Sequence, residues 1–250
     1  MGLRTKIRNF LYKSKFNKKI SNLEFSGKNI LITGANSGIG LELTKKLLEL
    51  KNNVISTYRE NSDMLRKIND KNLKITKCDQ RNLNEFENLK SELENIEIEV
   101  IINCAAVFGP PDQNIEDLNF EKFKEILMVN SLSILKIIQT IFKKDNKLEL
   151  VVNISSDAGS ISLNKDGNFY IYRSSKSTLN SITKNLSVDL NRRNGAIVLA
   201  IDPGNVKSNM NPGGIIDTEK CAEMIIDLIS RKTKNLNGKF VNLLEHEIEW

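Results

Sequence analysis

Two tyrosines precede a single lysine in "FYIYRSSK", residues 169–176. Tyr172 and Lys176 stand at i and i+4, which sets a phenol and an ammonium on one face of a helix. Tyr170 lies six positions before the lysine, about 600° around the axis, and faces elsewhere. A free phenol has a pKa near ~10, too high for ready proton exchange at neutral pH. An adjacent ammonium stabilises the phenolate, and a drop of ~2–3 units corresponds to roughly 3–4 kcal/mol. The pair can therefore act as a general acid and base. The same spacing also occurs as a plain surface contact, and Tyr170 reads as pocket lining or packing. A second chemical feature is "TGANSGIG", residues 33–40. Gly34, Gly38 and Gly40 sit where a tight turn, close approach to a pyrophosphate and close helix packing each exclude a side chain. The amides of the helix that follows offer a partial positive charge to phosphate. A glycine triplet alone marks only a surface turn; set between a strand-like run and a helical one, it predicts a dinucleotide site.

Other chemistries have few residues to work with. The one histidine, His246, leaves little for a Ser-His-Asp triad or a multi-histidine metal site. Cys78, Cys104 and Cys221 are far apart, with no CxxC and an odd count. That argues against a disulfide framework or structural zinc and fits a reducing, cytoplasmic setting. No run approaches the ~20 apolar residues that span a bilayer. The net charge of +6 is concentrated in residues 1–20, which carry seven basic groups and no acid, so the remainder is near neutral at −1. The high pI therefore gives no reason to expect nucleic acid. In that arm Leu3, Ile7, Phe10 and Leu11 recur at i, i+4, i+7 and i+8. This is an apolar helical stripe among basic residues, suited to weak, peripheral contact with an anionic membrane surface. A disordered start or a helix docked on its own domain explains it equally simply.

Positioning a glycine turn and a Tyr–Lys pair in one site requires a scaffold. Short apolar runs at 29–33, 53–58, 73–78, 99–106, 148–155 and 196–202 alternate with longer amphipathic ones such as 120–142 and 177–193, and "GKFVNL" (238–243) adds a last short strand. Near-continuous apolar strands separated by helices indicate a parallel sheet covered on both faces. The expected fold is α/β, a Rossmann-type doubly wound parallel sheet with helices on both faces. The expected organisation is a basic arm over 1–25 and one dinucleotide-binding catalytic domain over 26–250.

Seven ordered motifs within residues 26–250 resemble those of the short-chain dehydrogenase/reductase family in its single-domain form. "TGANSGIG" looks like that family's TGxxxGIG turn, "CD" (Cys78, Asp79) like its adenine-contacting element, and "NCAA" (103–106) like NNAG, with Cys104 and Ala106 as departures. Asn130 in "MVNS", then "NISS" (153–156), "YRSSK" (172–176) and "PGNVKS" (203–208) follow in family order. The gap between Ser156 and Tyr172, "MNPGG" after Ser208 and the closing segment look most like the C-factor and carbonyl-reductase-like branch.

The resemblance implies reduction of a small-molecule carbonyl, or oxidation of an alcohol, with a nicotinamide cofactor and no metal. Tyr172 would be the general acid/base and Ser156 the hydrogen-bond donor to the substrate oxygen. Ser155 is the alternative, since successive strand residues face opposite ways. Lys176 would bind the nicotinamide ribose, and Asn130 would hold a water relaying protons towards Lys176. Gly34, Asn36, Ser37, Gly38, Ile39 and Gly40 would take the cofactor's phosphates, with Asp79, Asn103 and Ala105 along its length and Tyr172 and Lys176 beside it. Pro203, Gly204 and Val206 would wall the nicotinamide end, with Ser208 reaching the phosphates where the family often has threonine. "STYRENS" places Arg59, and no acid before Glu60, at the end of the second strand. An arginine there can clamp a 2′-phosphate, so NADP(H) is expected over NAD(H). Homodimers or homotetramers are expected, with the apolar side of helix 172–191 as a candidate face. A non-catalytic dinucleotide sensor on the same fold is the competing expectation, although it would need no proton donor.

Overall fold

Each expected strand forms, the first two at their expected bounds and the others trimmed to the stretch that finds a neighbour. In the computed structural model, which describes residues 25–142, 147–231 and 233–250, these are β1 (Asn29–Thr33), β2 (Asn53–Tyr58), β3 (Leu73–Lys77), β4 (Val100–Asn103), β5 (Leu150–Ile154), β6 (Ile197–Asp202) and β7 (Phe240–Asn242). The basic arm and its proposed membrane contact lie outside the described residues, Phe25 excepted. All strands pair in parallel, in the order β3-β2-β1-β4-β5-β6-β7. The segments between them hold α1 (Gly38–Glu49), α2 (Asp63–Arg66), α3 (Glu85–Glu92), α4 (Phe120–Leu127), α5 (Ser133–Ile141), α6 (Tyr170–Asn194) and α7 (Thr218–Ser230).

Strand alternation divides the apolar side chains into two cores. Ile30, Ile32, Val54, Val100, Ile102, Val152, Leu199 and Ile201 point to one face and pack with α1 and α7 residues such as Leu43, Leu47, Ala222 and Ile225. Leu31, Ile55, Ile101, Val151 and Val198 point to the other and meet Phe86 and Leu89 of α3, Ile134 and Ile137 of α5, and Leu179, Leu186 and Leu190 of α6. Each fully buried aliphatic side chain stabilises the fold by roughly 1.5–3 kcal/mol, so both faces must be covered. α6 shows how local pattern meets this demand. Ile171, Ser175, Leu179, Ile182, Leu186 and Leu190 recur three or four apart and are all buried. Gly195, left-handed at φ 78°, ends the helix. The run expected as one helix over 120–142 is interrupted: a π-helical turn, Met128–Leu132, joins α4 to α5. No described helix is long and apolar enough to cross a membrane.

Candidate active site

The order of the sheet reverses between β1 and β4, and a cleft opens beyond their C-terminal ends, the usual ligand position in such sheets. It encloses ≈ 430 Å³. The two strand ends are tied together by the Thr33 hydroxyl, which accepts from the amides of Cys104 and Ala105, both at 3.2 Å. The glycine turn lies directly above. Gly34 is left-handed at φ 66°, and a Cβ there would stand 2.6 Å from the Ala105 Cα. At Gly40 a Cβ would meet the Gly34 carbonyl oxygen at 2.5 Å, so this glycine serves helix packing and does not line the cleft. Gly38 differs: it is left-handed at φ 58°, yet nothing lies within 4 Å of where its Cβ would be. Space is kept there for something approaching the backbone. The N-cap side chain, Ser37, makes no capping hydrogen bond, leaving the first amides of α1 available as donors. Open space, free amides and a helix N-terminus fit a dinucleotide pyrophosphate. Asn36, Ser37 and Ile39 line the same part of the cleft.

The Tyr–Lys pair forms the far wall. Tyr172 and Lys176 both line the cleft, with Lys176 Nζ 5.8 Å from the centre of the Tyr172 ring. Lys176 is 1% exposed and donates to the Ile154 carbonyl at 2.8 Å. Burial lowers its pKa to about 8, against the opposing pull of Cys104 and Asp202. The phenol does not follow the expectation of a depressed pKa. Burial pushes Tyr172 above its ordinary value, a hydrogen bond from Ser156 draws it down, and Asp202 and Asp157 add to the rise. With the ammonium turned to a backbone carbonyl, desolvation of the phenol dominates. Tyr170 is exposed and does not line the cleft, so it neither packs nor lines the pocket as expected; its place on the helix turns it out to solvent.

The two serines separate by partner. Ser155 is buried and its hydroxyl donates to Asn180 Oδ1 at 2.6 Å. Ser156 is the serine that draws the phenol's pKa down, although Ser155 and not Ser156 is among the residues lining the cleft, and the Ser156 hydroxyl caps a short 3₁₀ turn by accepting from the Ala158 amide at 3.2 Å. Asn130 sits in the π turn with its side chain fully engaged. Its Oδ1 accepts from the Val107 amide at 2.7 Å, and its Nδ2 donates to the Val107 carbonyl at 2.8 Å and to Ser175 Oγ at 2.9 Å. These bonds brace the 107 loop against α6.

Arg59, Asp79, Ala105, Pro203 and Ser208 line the cleft as expected. Asn103, Gly204 and Val206 do not. Asn103 is buried and donates to Asn153 Oδ1 at 2.7 Å, and Asn153 donates to Thr183 Oγ1 at 2.8 Å. Being an inward-facing strand residue, it ties β4 to β5 and α6. Val206 turns inward to pair with Ile216, and Gly204 makes the left-handed turn (φ 74°) that returns the chain from β6. Sequence reasoning missed Arg81, which fixes the acids at the adenine end. It lies 2.6 Å from Asp79 and 3.3 Å from Glu60, and Glu60 in turn lies 3.1 Å from Arg59. The Arg81 guanidinium holds the Asp79 carboxyl below its usual range. Only "CDQR" itself, an acid two positions before an arginine, signalled that pair.

Buried thiols beside this cleft set an alkaline limit to stability. Burial pushes Cys78 and Cys104 up to about 12, and Cys221 well above the ordinary thiol value of 9.0. Such groups contribute stability that is complete below their unfolded pKa and is lost as pH rises through the folded one. Lys176, lowered to about 8, acts in the opposite sense between 8 and its unfolded value of 10.5. Three thiols and the phenol outweigh one amine. The urea midpoint of reduced protein should therefore fall between pH 8.5 and 10.5, and Cys221→Ala should shrink the drop; a rising midpoint would contradict this assignment.

A profile of the short chain dehydrogenase family matches residues 28–214. The 3-oxoacyl-(acyl-carrier-protein) reductase of Rickettsia prowazekii is 31% identical over 196 residues, covering 75% of this chain and 76% of that protein. The C-signal protein of Myxococcus xanthus is 26% identical over 156 residues, 61% of this chain and 93% of that protein. Among solved structures, the carbonyl reductase Sniffer of D. melanogaster superposes with a TM-score of 0.83 at 28% identity, over 90% of this chain and 100% of that one. The NADPH-bound carbonyl reductase from chicken fatty liver gives 0.78 at 25% identity, with the same coverage. With a glycine turn shaped for a dinucleotide and a Tyr–Lys pair lining the same cleft, the chain belongs to the short chain dehydrogenase family and is an NAD(P)-dependent oxidoreductase.

Proposed function

We propose that the chain reduces a small, largely apolar carbonyl compound to the alcohol with NADPH, and that Tyr172 donates the proton. The observation that carries this reading is the Tyr172 phenol and the buried Lys176 ammonium lining the same cleft as the glycine turn, with Nζ 5.8 Å from the phenol ring centre. A nicotinamide held in the cleft would supply hydride for the carbonyl carbon. As charge grows on the substrate oxygen, Ser156 and the Tyr172 hydroxyl donate to it, and the Tyr172 proton moves to that oxygen. A phenol held above its ordinary pKa is protonated at neutral pH, which suits the reductive direction. Lys176 Nζ, near half-protonated at pH 8, stands beside the resulting phenolate and stabilises it. Phe108, with its ring centre 4.9 Å from that of Tyr172, and Phe169 at 5.5 Å from Phe108 set aromatic rings beside the phenol, and Val107, Val129 and Met210 line the cleft itself. That lining favours apolar groups beside the carbonyl. Carbonyl reduction is also the activity in the names of Sniffer and the chicken enzyme. Purified protein screened for NADPH oxidation against aromatic and aliphatic ketones and aldehydes tests the proposal; no turnover of any of them would sink it.

The preference for NADPH rests on Arg59 and Arg81, which converge on the single Glu60 carboxylate at the end of the cleft. Two guanidinium groups that already share one anionic partner can close on a 2′-phosphate. We expect NADPH to bind at least ~10-fold more tightly than NADH, with most of that difference gone in Arg59→Ala, as for loss of a charge-assisted contact. Titration of both cofactors against both proteins decides it, equal affinities in the unmutated chain being the contrary result.

A further inference from the structure

The helix that carries Tyr172 begins without a cap of its own. Phe169, at the N-cap, is left-handed (φ 51°, ψ 38°) and offers no side-chain acceptor, and Asn168 before it is left-handed as well (φ 53°). The first amides of α6 must find acceptors elsewhere. Gln113, from the loop after β4, provides two. Its backbone carbonyl accepts from the Tyr170 amide at 3.2 Å, and its side-chain Oε1 accepts from the Tyr172 amide at 2.8 Å. Although it belongs to a loop, Gln113 is only 2% exposed. Its Nε2 donates to the carbonyls of Phe108 at 3.0 Å and Pro110 at 2.9 Å, so both donors and the acceptor of the amide are in use. On the other side, the Tyr172 carbonyl accepts from Ser175 Oγ at 2.8 Å, and Ser175 is itself held by Asn130. Side chains thus fix the backbone of Tyr172 at both its amide and its carbonyl.

We propose that Gln113 is a positioning residue for Tyr172, setting the depth of the phenol in the cleft and locking it in register with the Phe108 wall. The inference rests on the reading of Tyr172 as proton donor. A glutamine is required because the position needs an acceptor for one amide and donors for two carbonyls at once. Displacing a reacting group by about 1 Å can cost on the order of 10²-fold in rate, so loss of this one tether is enough to be measured.

Gln113→Ala and Gln113→Glu in the full chain test it, using the carbonyl substrate found in the screen. Gln113→Ala should lower kcat by roughly 10–30-fold with the NADPH dissociation constant within about twofold, a split that general unfolding would not produce. Hydrogen exchange should show the Tyr172 amide losing its protection. In Gln113→Glu an ionised carboxylate faces two carbonyls, whereas its neutral acid restores one donor and keeps the acceptor. Its kcat relative to the unmutated enzyme should therefore recover as pH falls from 8 to 6. Unchanged kcat in Gln113→Ala, NADPH affinity falling in step with kcat, or a flat ratio in Gln113→Glu would overturn the inference. Full activity in Tyr172→Phe overturns it together with the reading of Tyr172. An inactive Tyr172→Phe beside a fully active Gln113→Ala overturns this inference alone.

Discussion

Tyr172→Phe should lower turnover by at least ~10²-fold, the lower range for loss of a general acid, with NADPH affinity little changed. The substitution removes the hydroxyl bonded to Ser156 and keeps the ring that packs on Phe108. Fold and cleft are thereby retained while the donor is gone. Tyr170→Phe, whose phenol is exposed and outside the cleft, should stay within roughly tenfold of the unmutated rate. Steady-state kinetics on one carbonyl substrate, beside cofactor titrations, make the comparison. A nearly active Tyr172→Phe enzyme would remove the phenol from the mechanism.

Gly34→Ala and Gly38→Ala should fail in different ways, although both glycines are left-handed. At position 34 the new methyl would collide with the backbone of Ala105, at 2.6 Å from its Cα and 2.8 Å from its nitrogen. Overpacking and backbone strain together should cost about 2–5 kcal/mol of stability. At position 38 the methyl meets no protein atom, so only about 1 kcal/mol of backbone strain is expected. There the loss should fall on the cofactor, whose phosphates would come against the added carbon, with affinity down at least ~10-fold. Urea unfolding and NADPH titration of the two variants give the test. Equal destabilisation by both, with equal retention of cofactor, would mean that the open space at Gly38 serves no ligand.

The scaffold was legible because its signals are local. β1 and β2 carry enough consecutive apolar residues to show their bounds, and the glycine turn between β1 and α1 is a property of eight adjacent residues. What was not legible depends on partners distant in sequence. Gln113 has no periodic neighbour to announce it, and its partner amide lies 59 residues on. Asn103 has the residue type of a ligand contact, but its position on β4 turns it towards Asn153 and away from the cleft. The phenol's raised pKa escaped notice for a related reason. Spacing along a helix predicts that Lys176 is near, whereas the direction of Nζ is set by the carbonyl at the end of β5. The π turn at Met128–Leu132 leaves no mark in a run whose apolar residues fit a continuous helix.

The place of β1 in the sheet has a consequence in time. The first of the described strands stands in the interior of the final order, with β2 on one flank and β4 on the other. As the chain leaves the ribosome, Asn29–Thr33 can pair with Asn53–Tyr58 early, but its second flank stays bare until Val100–Asn103 has been synthesised. Through that interval Ile30, Leu31 and Ile32 present an open apolar edge of the kind that recruits other chains. The residues proposed to move the proton arrive later still, since Ser156, Tyr172 and Lys176 all follow β5. A nascent chain therefore completes its glycine turn well before the segment that carries Tyr172 and Lys176 has been made.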